Sequence, residues 1–247
     1  MQAVLYVSHG SRVEKARKEA VTFIQTVQQQ VDIPLQETCF LELAEPDVTQ
    51  GISRLVDRGA TKIVIMPVLL LSAGHYYKDI PSEIEDAKVR HPHINFVYGE
   101  PLGVQDRLVD ILVQRIQETN VTRLPNAHIL LVGRGSRNPE TKQSIELIAQ
   151  KLQGKVTGST VDVCYLAACS PSFEEGLQGI KGKKQTFVIP YLWFTGVLMN
   201  SMQKKINEVK QLEQQVILCQ YLGHHPFIID ALKDRVYEAL ESNSYSV

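Results

Sequence analysis

Three side chains in the first third of the sequence could bind a metal or accept a proton. They are His9, in Ser8-His9-Gly10-Ser11-Arg12; Glu42, in Phe40-Leu41-Glu42-Leu43-Ala44-Glu45-Pro46; and His75, closing Leu69-Leu70-Leu71-Ser72-Ala73-Gly74-His75. Two neutral imidazoles suit a transition metal such as Fe(II), Co(II), Ni(II) or Zn(II), and one carboxylate is too few for a tight all-protein magnesium or calcium cage. Imidazole, with an unperturbed pKa of about 6.5, is mostly neutral and able to ligate near neutral pH. Three ligands leave the coordination incomplete. That suits a protein that passes its metal onward or completes the coordination sphere with a substrate. Taken singly each residue has a plain alternative: His9 a structural residue after a strand, Glu42 a solvated charge, His75 a loop residue.

The elements that must position them follow from periodicity. Ala3-Val4-Leu5-Tyr6-Val7 reads as a buried strand ahead of His9, and the spacing of Ala16, Ala20, Phe23 and Val27 predicts a helix from Arg12 to about Gln30. Gly10 permits a tight strand-to-helix turn, and Ser11 with Glu14 has the Ser-x-x-Glu form of a capping box. Further strands are expected near 35–41, 62–71 and 94–98, the third ending at His75. Helices are expected after Pro46-Asp47 as far as Gly59, from Ser82 to Arg90 behind Pro81, and from Val104 to Gln117. Strand–helix alternation with short loops implies a parallel sheet with right-handed crossovers. In a doubly wound sheet of order 2-1-3-4 the first three strands are neighbours, and their carboxyl ends bring His9, Glu42 and His75 to one crevice.

The sequence also repeats itself. At a shift of 125 residues, Ser8-His9-Gly10-Ser11-Arg12 meets Gly133-Arg134-Gly135-Ser136-Arg137, and Phe40 to Pro46 meets Tyr165 to Pro171. At 123, Ile65 to Leu69 meets Val188 to Leu192, and at 120, Pro101-Leu102-Gly103 meets Tyr221-Leu222-Gly223. The second half has strands near 127–132, 160–166, 185–192 and 216–220, with helices after Asn138, Ser172, Gly196 and Pro226; Ser172 and Glu175 form another capping box. The fold class is α/β: two similar domains, each a four-stranded parallel sheet flanked by helices, with a cleft between them. Residues 1–118 form the first domain and carry the active site, 127–247 form a degenerate repeat, Thr119 to Asn126 is the linker, and Glu241 to Val247 a frayed polar tail.

Duplication supplies an internal control, because a residue required for the fold should appear in both copies. Opposite His9 stands Arg134, opposite Glu42 stands Ala167, and opposite His75 stands Leu198. The three groups are lost together, which favours a site. The other histidines read as structural: His91 and His93 flank Pro92 in a surface loop, His128 begins a strand, and His224-His225 are adjacent.

Composition excludes several classes. The chain has 247 residues, 44% hydrophobic and 21% charged, with a net charge of −1, so no broad basic face for nucleic acid is indicated. No apolar stretch reaches the ~18 residues of a membrane helix, and the N-terminus lacks a signal-peptide pattern, so a cytoplasmic protein is expected. Cys39, Cys164, Cys169 and Cys219 show no C-x-x-C spacing and read as reduced residues in or beside strands.

The Ser-His-Gly-Ser-Arg start, the Phe-Leu-Glu-Leu-x-x-Pro stretch ending at Pro46, the Met-Pro-Val-Leu-Leu-Leu-Ser-Ala-Gly-His run followed by Lys78-Asp79-Ile80-Pro81, and the duplication together resemble the class II chelatases. The resemblance is to the long, two-domain sirohydrochlorin chelatases, which insert ferrous iron or cobalt into sirohydrochlorin. It implies a chelatase-like fold and a lyase of sirohaem or cobalamin biosynthesis, with His9 and His75 as the metal pair and Glu42 helping to take protons. It implies Fe2+, then Co2+, as substrate metal, with no permanently bound cofactor. The second half would be a wall for the macrocycle. Arg12, Lys78, Arg134 and Arg137 stand by motif position where they could pair with the eight carboxylates of the tetrapyrrole. Trp193 and Phe194 could stack on the macrocycle or belong to the core. One chain supplying both lobes favours a monomer.

Two other classes remain open on sequence. A His-Gly turn after the first strand also opens histidine phosphatases, which place Arg before the His where Ser8 stands here. A metal-binding or delivery protein without turnover would use the same three ligands.

Overall fold

The computed structural model describes residues 1–72, 74–209 and 214–242. The expected polar tail lies mostly outside these residues, beyond Ser242.

The first sheet contains β1 (Gln2–Ser8), β2 (Leu35–Phe40), β3 (Lys62–Pro67) and β4 (Asn95–Tyr98) in the order β2-β1-β3-β4, every neighbouring pair parallel. The second contains β5 (His128–Gly133), β6 (Thr160–Tyr165), β7 (Gln185–Tyr191) and β8 (Gln215–Leu218) in the order β6-β5-β7-β8, also parallel throughout. Between the strands lie α1 (Glu14–Gln28), α2 (Val48–Asp57), α3 (Ile80–Arg90), α4 (Asp106–Gln117), α5 (Pro139–Lys155), α6 (Phe173–Gly179), α7 (Val197–Val209) and α8 (Pro226–Glu241). The order expected from alternation is the order found.

The central strands are near-continuous apolar runs because helices cover both faces. Ala3, Leu5 and Val7 pack with Ile63 and Ile65, with Ile52 and Leu55 of α2, and with Ile80 and Ile84 of α3. Each such buried valine, leucine or isoleucine contributes about 2 kcal/mol. The second sheet builds the same core from Leu130, Val132 and Val188 with Phe173 and Leu177 of α6 and Met202 and Ile206 of α7.

The two compact units are not the sequential halves. One comprises Met1–Gly103 with Ile228–Val247, the other Val104–Phe227. Helix α4 thus groups with the second sheet and α8 with the first. Matched arginines hold the exchange. Arg115 of α4 donates to the carbonyls of Tyr221 and Leu222 at 2.9 and 2.5 Å, and Arg235 of α8, 120 residues later, donates to the carbonyl of Leu102 at 3.1 Å. Lys62 adds bonds to the carbonyls of Leu240 and Ser242 at the end of α8. The polar segment Thr119 to Asn126 is no free linker: the buried Gln185 accepts from the Leu124 amide and donates to the Thr122 carbonyl.

Two local expectations are also corrected. Helix α1 begins at Glu14 without a side-chain cap, because Ser11 Oγ accepts instead from the Val13 amide at 3.0 Å and Glu14 pairs with Lys18. The third strand stops at Pro67, and His75 opens a π-helical turn, His75–Asp79, that runs straight into α3. Proline stands at the second position of α3. The Ser172–Glu175 capping box is present, and Asp47 with Gln50 forms another at α2.

Candidate metal centre

The first unit places His9 and Glu42 just past the carboxyl ends of β1 and β2, and His75 on the π turn that follows the loop after β3, on the side of the sheet where the strand order reverses. The loop after β2 is zipped to the loop after β1: Leu41 donates to the Ser8 carbonyl at 2.8 Å, and Glu42 donates to the His9 carbonyl at 3.1 Å. Gly10, at φ +90°, lies so close beneath the Glu42 carbonyl that a Cβ there would stand 1.8 Å from the oxygen. Only glycine fits this contact, and it holds His9 and Glu42 in register.

His75 is positioned from the other side by its neighbour. Tyr76 is buried, stacks on Tyr98 with ring centroids 4.9 Å apart, and accepts a hydrogen bond from the Tyr98 hydroxyl on its own carbonyl at 2.9 Å. Burial and the adjacent Glu100 push the Tyr76 hydroxyl well above the usual phenol range, so it stays protonated and neutral. The π turn is thus anchored to β4, and His75 projects from its first residue.

One ligand atom from each of His9, Glu42 and His75 lies within 4.8 Å of the others. Bonds of about 2.0–2.2 Å from a first-row metal to nitrogen and oxygen require ligand atoms roughly 3 to 4 Å apart, so small side-chain rotations bring all three onto one ion. The imidazoles meet edge to face with centroids 4.6 Å apart and planes at 87°. His9 Nε2 stands 3.2 Å from Glu42 Oε1, while its Nδ1 lies 3.3 Å from the Gly10 carbonyl oxygen. A neutral imidazole that donates from Nδ1 turns a lone pair on Nε2 towards the carboxylate, and two lone pairs so placed attract a proton or a metal cation between them. His9 is 33% and His75 28% exposed, open enough for ligands to exchange.

The second unit repeats the scaffold without the two histidines and the glutamate. Leu166 and Ala167 donate to the Gly133 and Arg134 carbonyls, both at 3.0 Å, and a Cβ on Gly135 would stand 1.8 Å from the Ala167 carbonyl oxygen. The site positions hold Arg134, Ala167 and Val197, the last in place of the Leu198 expected from the shift of 123. The four expected cations are all exposed, Arg12 and Lys78 in the first unit and Arg134 and Arg137 in the second, and no ion pair engages them among the described residues. Trp193 is buried and stacks on Phe194, with ring planes 10° apart, which favours the core reading for Trp193.

Sequence reasoning missed Asp79, whose Oδ2 lies 2.7 Å from His75 Nδ1. The spacing of four residues would have found it had His75 been read as helical.

Comparison with known proteins places these features. The CbiX family model matches residues 3–119 and again 128–239. The chain is 47% identical to the sirohydrochlorin ferrochelatase of Priestia megaterium, covering 100% of this chain and 94% of that one. It is 35% identical to the sirohydrochlorin cobaltochelatase of the same organism, covering 98% and 81%. The structure of SirB from Bacillus subtilis with Fe3+ superposes with a TM-score of 0.89 at 38% identity, covering 97% of this chain and 96% of that chain. Both halves lie inside the family pattern, and the chain belongs to the CbiX family of class II chelatases.

Proposed function

We propose that this protein inserts a divalent metal into sirohydrochlorin, Fe2+ in the first place and Co2+ in the second. The observation that carries the reading is the convergence of His9, Glu42 and His75 on one point in the first unit, on a scaffold whose second copy lacks all three. Relatives named as ferrochelatase and as cobaltochelatase support both metals.

Insertion exchanges two pyrrole N–H protons for one M2+, so the site must hold the ion loosely and accept protons. His9 and His75 bind the incoming ion through imidazole nitrogens, leaving coordination positions for the pyrrole nitrogens. Glu42 orients the His9 ring and takes up a released proton. As the four ring nitrogens take the metal, the two metal–imidazole bonds break, and a freed imidazole can carry the second of the two N–H protons to solvent. Arg12 and Lys78, with Arg134 and Arg137, pair with substrate carboxylates; their exposure and lack of ion-pair partners among the described residues support this role. The metal is a substrate, no resident cofactor is required, and the working form is a monomer in the cytoplasm. No described helix is long and apolar enough to cross a membrane.

The test is anaerobic absorbance of sirohydrochlorin with Fe2+ and, separately, Co2+. Wild type should accelerate insertion over the protein-free rate, and His9→Ala should lose about 100-fold or more of that acceleration. A wild-type rate equal to the protein-free rate for both metals would sink the reading in favour of metal delivery. Phosphate release from phosphomonoesters, abolished by His9→Ala, would favour the phosphatase alternative.

A further inference from the structure

We propose that Asp79 is the positioning residue of this centre: it holds the His75 ring with its proton on Nδ1, so that Nε2 presents its lone pair to the metal. The inference rests on the reading of His9, Glu42 and His75 as the metal-handling set, and adds a residue to it.

Asp79 Oδ2 lies 2.7 Å from His75 Nδ1, one helical step along the π turn that His75 opens. An ionised carboxylate only accepts hydrogen bonds, so the nitrogen facing it must donate. A neutral imidazole has one N–H. With that N–H committed to Asp79, Nε2 is left bare, which is the form a metal ligand needs. Among the described residues the converging ligand atoms come from His9, Glu42 and His75, and Asp79 is not one of them. In this reading Nε2 faces the centre and Asp79 acts on the far side of the ring.

The fold gives no reason for this pair. Asp79 is 54% exposed, and an ion pair so open to water adds little stability. The duplicated half shows what the scaffold accepts there. The core-facing residues Tyr76, Ile80 and Ile84 correspond to Leu198, Met202 and Ile206, so at this point of the fold His75 meets Val197 and Asp79 meets Ser201. Val197 and Ser201 are exposed, and neither is ionisable. His and Asp are lost together. That is the pattern of a pair that works as a unit, with Asp79 present for the sake of His75.

The two carboxylates then divide the work. Glu42 sits 3.2 Å from the Nε2 face of His9, inside the centre, where it can meet a cation or a proton. Asp79 sits behind His75, outside the centre, where it governs which nitrogen is bare and how the ring is turned.

The test compares wild type, Asp79→Asn and Asp79→Glu. Two readouts are taken: Co2+ titration of the protein alone, followed by its visible ligand-field absorption, and anaerobic insertion with separate KM values for metal and for sirohydrochlorin. An asparagine can offer either its oxygen or its amide N–H to Nδ1, so the tautomer is no longer fixed. Asp79→Asn should weaken Co2+ binding and raise the KM for metal by about 10- to 100-fold. The KM for sirohydrochlorin and the melting temperature should not change, and Asp79→Glu should recover part of the metal affinity. Co2+ affinity and KM in Asp79→Asn equal to wild type would overturn the proposal, and so would lost insertion with unchanged Co2+ affinity. If wild type inserts no metal, the chelatase reading fails, and the Co2+ titration still decides the role of Asp79.

Discussion

Because the scaffold occurs twice and the His9–Glu42–His75 set once, a matched pair of substitutions separates the two: Gly10→Ala and Gly135→Ala. Both glycines sit at left-handed φ, +90° and +84°, and in both a Cβ would stand 1.8 Å from a carbonyl oxygen, that of Glu42 or of Ala167. Left-handed backbone costs an alanine about 1–2 kcal/mol. Relief of the contact needs more than 1 Å of backbone movement, since Cβ atoms do not approach within 3.0 Å. That movement breaks the hydrogen bond from the Glu42 amide to the His9 carbonyl at 3.1 Å, or from the Ala167 amide to the Arg134 carbonyl at 3.0 Å, for about 1 kcal/mol more. The total is about 3 kcal/mol for either variant. At roughly 2–4 °C per kcal/mol for a chain of this size, each should melt about 10 °C below wild type by calorimetry. Activity should divide them. Measured well below the melting transition, Gly10→Ala should lose about 100-fold or more in metal insertion, because His9 and Glu42 are displaced, while Gly135→Ala stays within a few-fold of wild type. Equal loss in both folded variants would refute the assignment of the chemistry to the first copy, and a Gly10→Ala melting point unchanged from wild type would refute the steric argument.

Two further substitutions address the frame. Leu43 holds φ 63° at 45% exposure, so Leu43→Gly should relieve left-handed strain and gain up to about 1 kcal/mol, read as a rise in melting temperature; a fall would mean that the side chain packs more than its exposure suggests. Arg115→Ala leaves the Tyr221 and Leu222 carbonyls without their charged donor and should cost about 2 kcal/mol by chemical denaturation, whereas a cost below about 0.5 kcal/mol would show that the α4 clamp is dispensable.

Much of this was legible in the sequence because the relevant signals are local. Apolar runs of strand length, alternating with amphipathic helices, give the order β2-β1-β3-β4, and that order brings three strand ends together. The zipped loops at Gly10 and Gly135 were visible only as aligned motifs, yet the alignment was structural residue for residue: Phe40 donates to the Pro46 carbonyl as Tyr165 does to that of Pro171. What was not legible depends on partners distant in sequence. The apolar face of α4 declares that the helix packs on a sheet but not which one; the choice lies with Arg115 and Tyr221, 106 residues apart. His75 read as the end of a strand because Val68-Leu69-Leu70-Leu71 continues the apolar run, but β3 ends at Pro67, where the partner strand β1 is itself about to end.

The placement of His75 on a helical turn changes what the centre can do. A histidine on a strand-end loop would need its ring orientation fixed by packing. On a helix it acquires a neighbour four residues on, and Asp79 occupies that place at 2.7 Å. The π turn is in turn held by Tyr76 against Tyr98, so the ring, its carboxylate and the edge of the sheet form one rigid assembly. On the opposite side His9 is fixed by main-chain bonds across the Gly10 contact. The two imidazoles are therefore set by independent means, one by backbone and one by a side chain. This predicts an asymmetry: substitutions at the His9 turn should disturb fold and metal site together, whereas substitution at Asp79 should disturb the metal site alone.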